Sequence, residues 1–223
     1  MAVKAGPKVV KDGLLFAIDA SVSRSYSGSG ITVNGLVGGI GGTLVNGVGF
    51  TSIDGGYFSF DGTNDYIAYS RNNIYDIGSS DFTVIYWINT TTKSRYNAVI
   101  DLNDAGGKII IATQITTGYS WTWFTSSYNI VGTIDMCDGT WHLAAISRIG
   151  STLTHYVDGR VSVSTNVGSH SVPSNDFLSI GKLWQTGDQG LIKLSDVKIY
   201  KNKGLTQQEI LQNYNATKRR YGL

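Results

Sequence analysis

Apolar and polar residues alternate along most of the chain in short runs punctuated by glycine, serine and asparagine, the period of half-buried strands rather than of helices. Leu14–Asp19 opens the pattern, and Ser21–Gly49, rich in Gly, Ser, Val and Asn, follows as a long loop with short strands. Tyr57–Phe60 and Asp65–Tyr69 flank Asp61-Gly62-Thr63-Asn64, where an Asp-Gly pair between alternating apolar residues predicts a hairpin. Phe82–Asn89, Ala98–Leu102, Lys108–Thr113, Ser120–Phe124 and Thr140–Ser147 have the length and the β-branched or aromatic content of strands. From Trp141 the pattern sharpens into Trp141–Arg148, Thr152–Val157 and Arg160–Ser164, joined by turns at Ile149-Gly150-Ser151 and Asp158-Gly159, which predicts a meander. If Gly150 and Ser151 form a two-residue turn, His155 lies opposite Ile146 on a largely apolar face, as a packed core histidine. Phe177–Gly181 and Leu191–Tyr200 complete an all-β reading.

One helix is expected. Thr206 followed three residues later by Glu209 has the spacing of a capping box, and Leu205 with Ile210 that of a hydrophobic staple. Ile210, Leu211 and Tyr214 would form its apolar edge, and Lys218, Arg219 and Arg220 sit at its end, where the helix dipole favours cations.

Composition narrows the class. A chain of 223 residues with 41% hydrophobic content can bury a single core, so one domain is expected over 14–223, preceded by an arm over 1–13. A net charge of +2 lacks the electrostatic footprint of a nucleic-acid binder. The single cysteine, Cys137, excludes an intramolecular disulfide and suits assembly in a reducing cytoplasm. The first residues carry Lys4, Lys8 and Lys11 without the apolar core of a secretory signal, and no segment reads as a membrane span, so no membrane partner is expected.

Several segments in order carry a family resemblance: Phe58–Ile67, Phe82–Trp87, Asp138–His142, Leu153–Gly159 and Ile192–Tyr200. Together they resemble the laminin-G-like modules of the concanavalin-A-like superfamily. That resemblance implies a two-sheet antiparallel jelly-roll sandwich with a short C-terminal helix. The closing run Leu205–Lys218 is similar to the terminal helix of such modules in structural proteins of tailed bacteriophages. The leading expectation is therefore a non-enzymatic virion subunit, a capsid decoration or fibre-type protein assembled in the host cytoplasm. Its partners would be other virion proteins and copies of itself, contacted through Lys4, Lys8 and Lys11 and through the neutral stretches Ile109–Ile115 or Tyr119–Val131. The rival is a glycan-binding lectin-like adhesion module, and a glycoside hydrolase stands behind both, because the fold alone assigns no activity.

Glycoside hydrolysis needs two facing carboxylates, and the chain contains one glutamate, Glu209, which the helix cap engages; no catalytic residue is assigned. His142, His155 and His170 have no metal-ligand spacing with one another or with Cys137. Calcium at a sandwich rim would draw on Asp61, Asn64, Asp65 and Asp188, but turn formation is the preferred role of Asp61–Asn64 and no cofactor is expected. Tyr119, Trp121 and Trp123 share one face of a strand. Exposed, they would stack on sugar rings or on a partner chain; buried, they are core, which is the preferred reading. Trp184, among polar residues, is the tryptophan expected in an exposed loop.

Overall fold

A computed structural model describes residues 7–70, 72, 75–103, 108–125, 127–172, 177–183 and 187–223. In the first half of the chain the strands are β1 Leu14–Asp19, β2 Thr32–Asn34, β3 Gly41–Val45, β4 Gly49–Thr51, β5 Tyr57–Asp61, β6 Tyr66–Tyr69, β7 Phe82–Asn89 and β8 Asn97–Asn103. The second half adds β9 Lys108–Thr113, β10 Tyr119–Phe124, β11 Tyr128–Asp135, β12 His142–Ile149, β13 Thr152–Val157, β14 Arg160–Asn166, β15 Phe177–Ile180 and β16 Leu191–Lys201, followed by helix α1, Gln207–Thr217. They form a jelly-roll sandwich of two antiparallel sheets. One, which bears the helix, runs β14-β13-β12-β7-β16-β5-β4, with β1 also pairing with β16; the other, left open, runs β11-β10-β9-β8-β15-β6-β3-β2.

The inner faces meet in one core that includes Phe16, Phe58, Phe82, Tyr86, Phe124 and Ile146. Strand β7 shows why its sequence hardly alternates. Val84, Tyr86 and Ile88 point into this core while Ile85 and Trp87 point outward beneath the helix, so both faces need apolar residues. The meander β12-β13-β14 forms as expected, and His155 pairs with Ile146 across it. His155 is fully buried, its Nδ1 3.0 Å from Ser120 Oγ of the opposite sheet, and burial pushes its pKa down to about 3.

The structure corrects several expectations. Tyr57–Phe60 and Asp65–Tyr69 do not form a hairpin: β5 pairs with β4 and β16, β6 with β3 and β15, and the Asp-Gly turn carries the chain from one sheet to the other. Alternation is the same in both arrangements, because Phe60 and Ile67 reach one core from opposite sides. In the Gly-rich stretch, β3 forms because Gly42 opposes Tyr69; a Cβ there would lie 2.4 Å from the tyrosine ring. Strand β11 was not expected. Its Gly132 lets the backbone approach Ser120 and Ser162, whose hydroxyls lie 2.4 and 2.5 Å from where a Cβ would stand.

Of the stretch Ile109–Ile115, one of the expected intersubunit surfaces, Ile109–Thr113 is fully buried within this chain as part of β9. The sheet edges are also guarded. Ser162 on edge strand β14 accepts from Thr133 N of edge strand β11 at 2.8 Å and its carbonyl accepts from Thr133 Oγ1 at 2.7 Å, while β2 and β4, at the opposite edges, are three residues each.

The helix begins as expected. Thr206 Oγ1 accepts from Glu209 N at 3.3 Å, Glu209 Oε2 accepts from Thr206 N at 2.9 Å, and Leu205 and Ile210 are both fully buried. Its buried face differs, however: Leu211 is 42% exposed, and Asn213 and Thr217 are buried with Ile210 instead. Trp87 Nε1 donates to Thr217 Oγ1 at 3.0 Å, and Asn213 accepts from Val10 N at 2.8 Å, so each buried polar group has a partner. Of the expected arm over 1–13, the described residues from Lys8 onward contact the helix and β16. The Lys8 carbonyl accepts from Gln212 Nε2 at 2.7 Å and the Val10 carbonyl from Tyr200 OH at 2.9 Å, which lays the chain from Lys8 onward along the helix. Lys8 and Lys11 are exposed on this strap, and Lys4 lies outside the described residues.

Candidate functional site

The outer face of the open sheet carries the chemistry that the sequence singled out. Period-2 alternation in β10 sends Ser120, Thr122 and Phe124 into the buried interior and Tyr119, Trp121 and Trp123 outward. On that outer face Trp121 lies between Ala112 of β9 and Val131 of β11, and Trp123 between Ile110 and Asn129. Trp121 is only 8% exposed because small neighbours, Ala98 and Ala112, let it lie flat in a cluster with Ile110 and Leu183, and the Tyr96 ring packs 4.9 Å from it. Trp123 is half-buried at the cluster's margin. Burial, the preferred reading, therefore holds for Trp121 and partly for Trp123, yet the cluster is on the outside of the sandwich and not in its core.

Beside it is a depression of about 340 Å³ lined by Trp121, Trp123, Ser127 and Asn129. Asn129 Oδ1 accepts from Trp121 Nε1, which fixes the indole and the amide relative to each other. The site thus combines two indoles with an amide and a hydroxyl. Such a set suits a saccharide, whose axial hydrogens pack on aromatic faces while its hydroxyls exchange hydrogen bonds with side-chain polar groups. Asn129 and Ser127 escaped the sequence reading because β11 did; Asn129 directly across from Trp123 becomes visible only once the two strands are paired. Tyr119 lies further along β10 opposite Asp135, away from the depression. Trp184 lies outside the described residues.

The rim carboxylates make a turn. Asp61 Oδ1 accepts from Thr63 N at 2.7 Å and Asn64 N at 3.3 Å, and these backbone bonds, Thr63 first, lower its pKa. Asp65 is buried and its Oδ2 accepts from Asp61 N at 3.1 Å; burial raises its pKa. The Asp188 carbonyl accepts from Leu183 N at 2.9 Å. Among the described residues no group of three or more His, Cys, Asp or Glu side chains is placed to hold a metal ion. Glu209 pairs with Lys203 at 2.8 Å besides capping the helix.

A constellation the sequence did not reveal surrounds His142. Its Nδ1 is 2.8 Å from Asp158 Oδ2 and its Nε2 3.2 Å from Asp138 Oδ1. Burial opposes the imidazolium, but the hydrogen bonds and charges of Asp158 and Asp138 outweigh it and raise its pKa. The three residues converge from two turns and a strand start, a juxtaposition set by the meander and not by spacing.

Comparison with known proteins agrees with this geometry. The sequence model of the concanavalin A-like lectin/glucanases superfamily matches residues 61–211. The chain belongs to this superfamily. Among curated proteins, the non-toxic nonhemagglutinin of Paraclostridium bifermentans is 21% identical over 163 residues, which cover 69% of this chain and 13% of that protein. This lectin-like chain therefore spans a small part of that relative's length. Among solved structures, the binding domain of Paraclostridial Mosquitocidal Protein 1 superposes with a TM-score of 0.73 at 15% identity, over 92% of this chain and 52% of that one. The receptor binding domain of botulinum neurotoxin D gives 0.69 at 13% identity, over 91% and 52%. Trypanosoma rangeli sialidase in complex with sialic acid gives 0.73 at 12% identity, over 99% and 36%. At these identities the likeness is one of fold. None of these relatives is named as a virion protein, and they lend no support to the virion-subunit expectation. Among the described residues, no helix is long and apolar enough to cross a membrane.

Proposed function

We propose that this chain is a non-catalytic, lectin-like binding module that recognises a glycan on a surface or receptor through the outer face of its open sheet. The observation that carries the proposal is the depression where Trp121 and Trp123 of β10 stand beside Asn129 of β11 and Ser127 of the connecting turn. The membership in a lectin and glucanase superfamily and the fold likeness to domains named for binding support the same reading. A glycosidase is the weaker alternative, because the sole glutamate caps a helix and pairs with Lys203. The proposal includes neither calcium nor any other cofactor.

The test is a glycan array probed with the wild-type chain, Trp123→Ala and Asn129→Ala, each first checked for an unchanged thermal transition. Wild-type binding to neutral glycans that is lost in both variants supports the reading. An array without neutral-glycan hits, or neutral-glycan hits untouched by both substitutions, overturns it.

A further inference from the structure

A second cleft lies on the opposite sheet, at the end where the terminal helix no longer covers it. Its volume is about 490 Å³, and Ser59, Asn89, Thr91, Thr92, Gly139 and Lys193 are among the residues that line it. Register explains their convergence. Lys193 of β16 pairs with Ser59 of β5 on one side and with Asn89 of β7 on the other, so three polar side chains stand in one row across three strands. The walls are fixed. Asn89 Nδ2 donates to the Gly139 carbonyl at 2.6 Å, Thr90 Oγ1 donates to the Leu191 carbonyl at 2.8 Å, and Thr92 N donates to Thr90 Oγ1 at 3.1 Å. The exposed Lys193 Nζ stands 5.2 Å from the Tyr57 ring centroid.

Charge decides what the cleft would take. Among the described residues lining it, Lys193 is the only ionised one and no carboxylate is present. The nearest carboxylates along the chain are engaged in their own turns: Asp61 Oδ1 accepts from Thr63 N and Asn64 N, and Asp138 Oδ1 from Thr140 N at 2.8 Å. Arg95 adds a second cation at the margin, where its guanidinium donates to the Gly62 carbonyl beside Leu191. A neutral polar wall of hydroxyls and an amide around one ammonium matches a sugar ring that bears an anionic substituent.

We propose that this cleft is a second saccharide subsite that selects acidic sugars, with Lys193 opposite a carboxylate or sulfate ester and Ser59, Asn89 and Thr91 meeting ring hydroxyls. The inference rests on the reading of the chain as a glycan-binding module but uses a different face, so the two can fail separately. The experiment is titration calorimetry against pairs of acidic oligosaccharides and their neutral, carboxyl-reduced or desulfated forms, with the wild type, Lys193→Gln and Trp123→Ala. At least one acidic member is expected to bind about tenfold more tightly than its neutral partner, with the preference weakened by salt. Lys193→Gln should remove the preference, and Trp123→Ala should keep it. No acidic preference in any pair, or a preference that survives Lys193→Gln, overturns the inference while leaving neutral-glycan binding at the tryptophans standing. Loss of all binding in the wild type overturns both. Displacement of the acidic sugar by inorganic phosphate at equal concentration would show a simple anion site and overturn the saccharide assignment.

Discussion

Both sheets carry tryptophan on their outer faces, but the chain closes only one of them with its own C-terminus. On the helix-bearing sheet Trp87 is fully buried, its ring 5.7 Å from Tyr214 and 4.2 Å from Tyr221, and its Nε1 bonded to Thr217. On the open sheet Trp121 rests on Ala98 and Ala112, Trp123 stands at the margin of that cluster, and both border a depression that no helix covers among the described residues. The same residue type in the same alternating pattern therefore serves two ends. Where the chain supplies a polar group that satisfies the indole N–H and aromatic rings that cover it, tryptophan stabilises the fold. Where an asparagine answers it at the surface, the indole borders the depression in which the proposed glycan would rest.

Truncating one tryptophan on each face separates the two roles. Trp87→Ala should cost about 4 kcal/mol, because it leaves a cavity under the helix and the Thr217 hydroxyl without its donor. Trp123→Ala should cost about 1 kcal/mol or less, since the residue is at a margin, and its loss should register in binding. Urea denaturation midpoints measure both. Equal losses would mean that the open face is as structural as the sealed one.

How far this contrast was legible in the sequence depends on the range of the interactions. The Thr206 capping box and the His155–Ile146 pairing rest on residues within a few positions or across a tight turn, and local pattern captured them. The helix face did not follow, because burying Asn213 and Thr217 in preference to Leu211 makes sense only with Trp87, Tyr200 and Val10 in place, and these come from distant strands and the N-terminal strap. Asn129 and Ser127 were missed for a related reason: a strand containing Gly132 lacks alternation strength, and the contacts that require a glycine there come from Ser120 on the neighbouring strand β10 and Ser162 on the opposite sheet.

A second test concerns what holds the seal. The Arg220 guanidinium donates to both carboxylate oxygens of Asp19, at 2.9 and 2.7 Å, and its Nη2 to the Gly55 carbonyl at 2.9 Å. Asp19 is paired across the sheet with Asp196, whose fully buried carboxylate bonds to Lys198. Burial works against ionisation of Asp19, but the hydrogen bonds and charge of Arg220 prevail and lower its pKa; for Asp196 burial prevails over Lys198 and raises it. Arg220→Ala would leave two carboxylates side by side with one partner fewer, at a cost of about 3 kcal/mol. It should also unseat Tyr221, whose hydroxyl donates to Ser195 Oγ at 2.7 Å. The seal is then expected to open first, read as faster hydrogen exchange in α1 than in β10 and β11. Uniform exchange over both faces would show that the seal is no separate unit.

The smallest expected effect is at the margin of the sealed face, where packing gives way to titratable contacts. Trp141 packs on Tyr57 and Tyr221, and the next residue, His142, 13% exposed, bridges Asp158 and Asp138. Because the folded-state pKa of His142 lies above its ordinary 6.5, the folded state binds the proton more tightly than the unfolded chain does. Its stabilisation is full below about pH 6.5 and is lost as pH rises through the raised folded-state value. His155 acts with the opposite sign: its depressed pKa makes stability fall as pH drops below 6.5 toward 3. Comparing the wild type with His142→Gln cancels the His155 contribution, which both share. The difference in unfolding free energy between them should be about 1 kcal/mol at pH 5.5 and shrink toward zero at pH 8.5. The Trp87→Ala cost, which comes from packing and a neutral hydrogen bond, should stay constant over the same range. A His142→Gln difference that does not vary with pH would mean that the imidazole acts by shape alone, and that the margin is sealed in the same way as the face it borders.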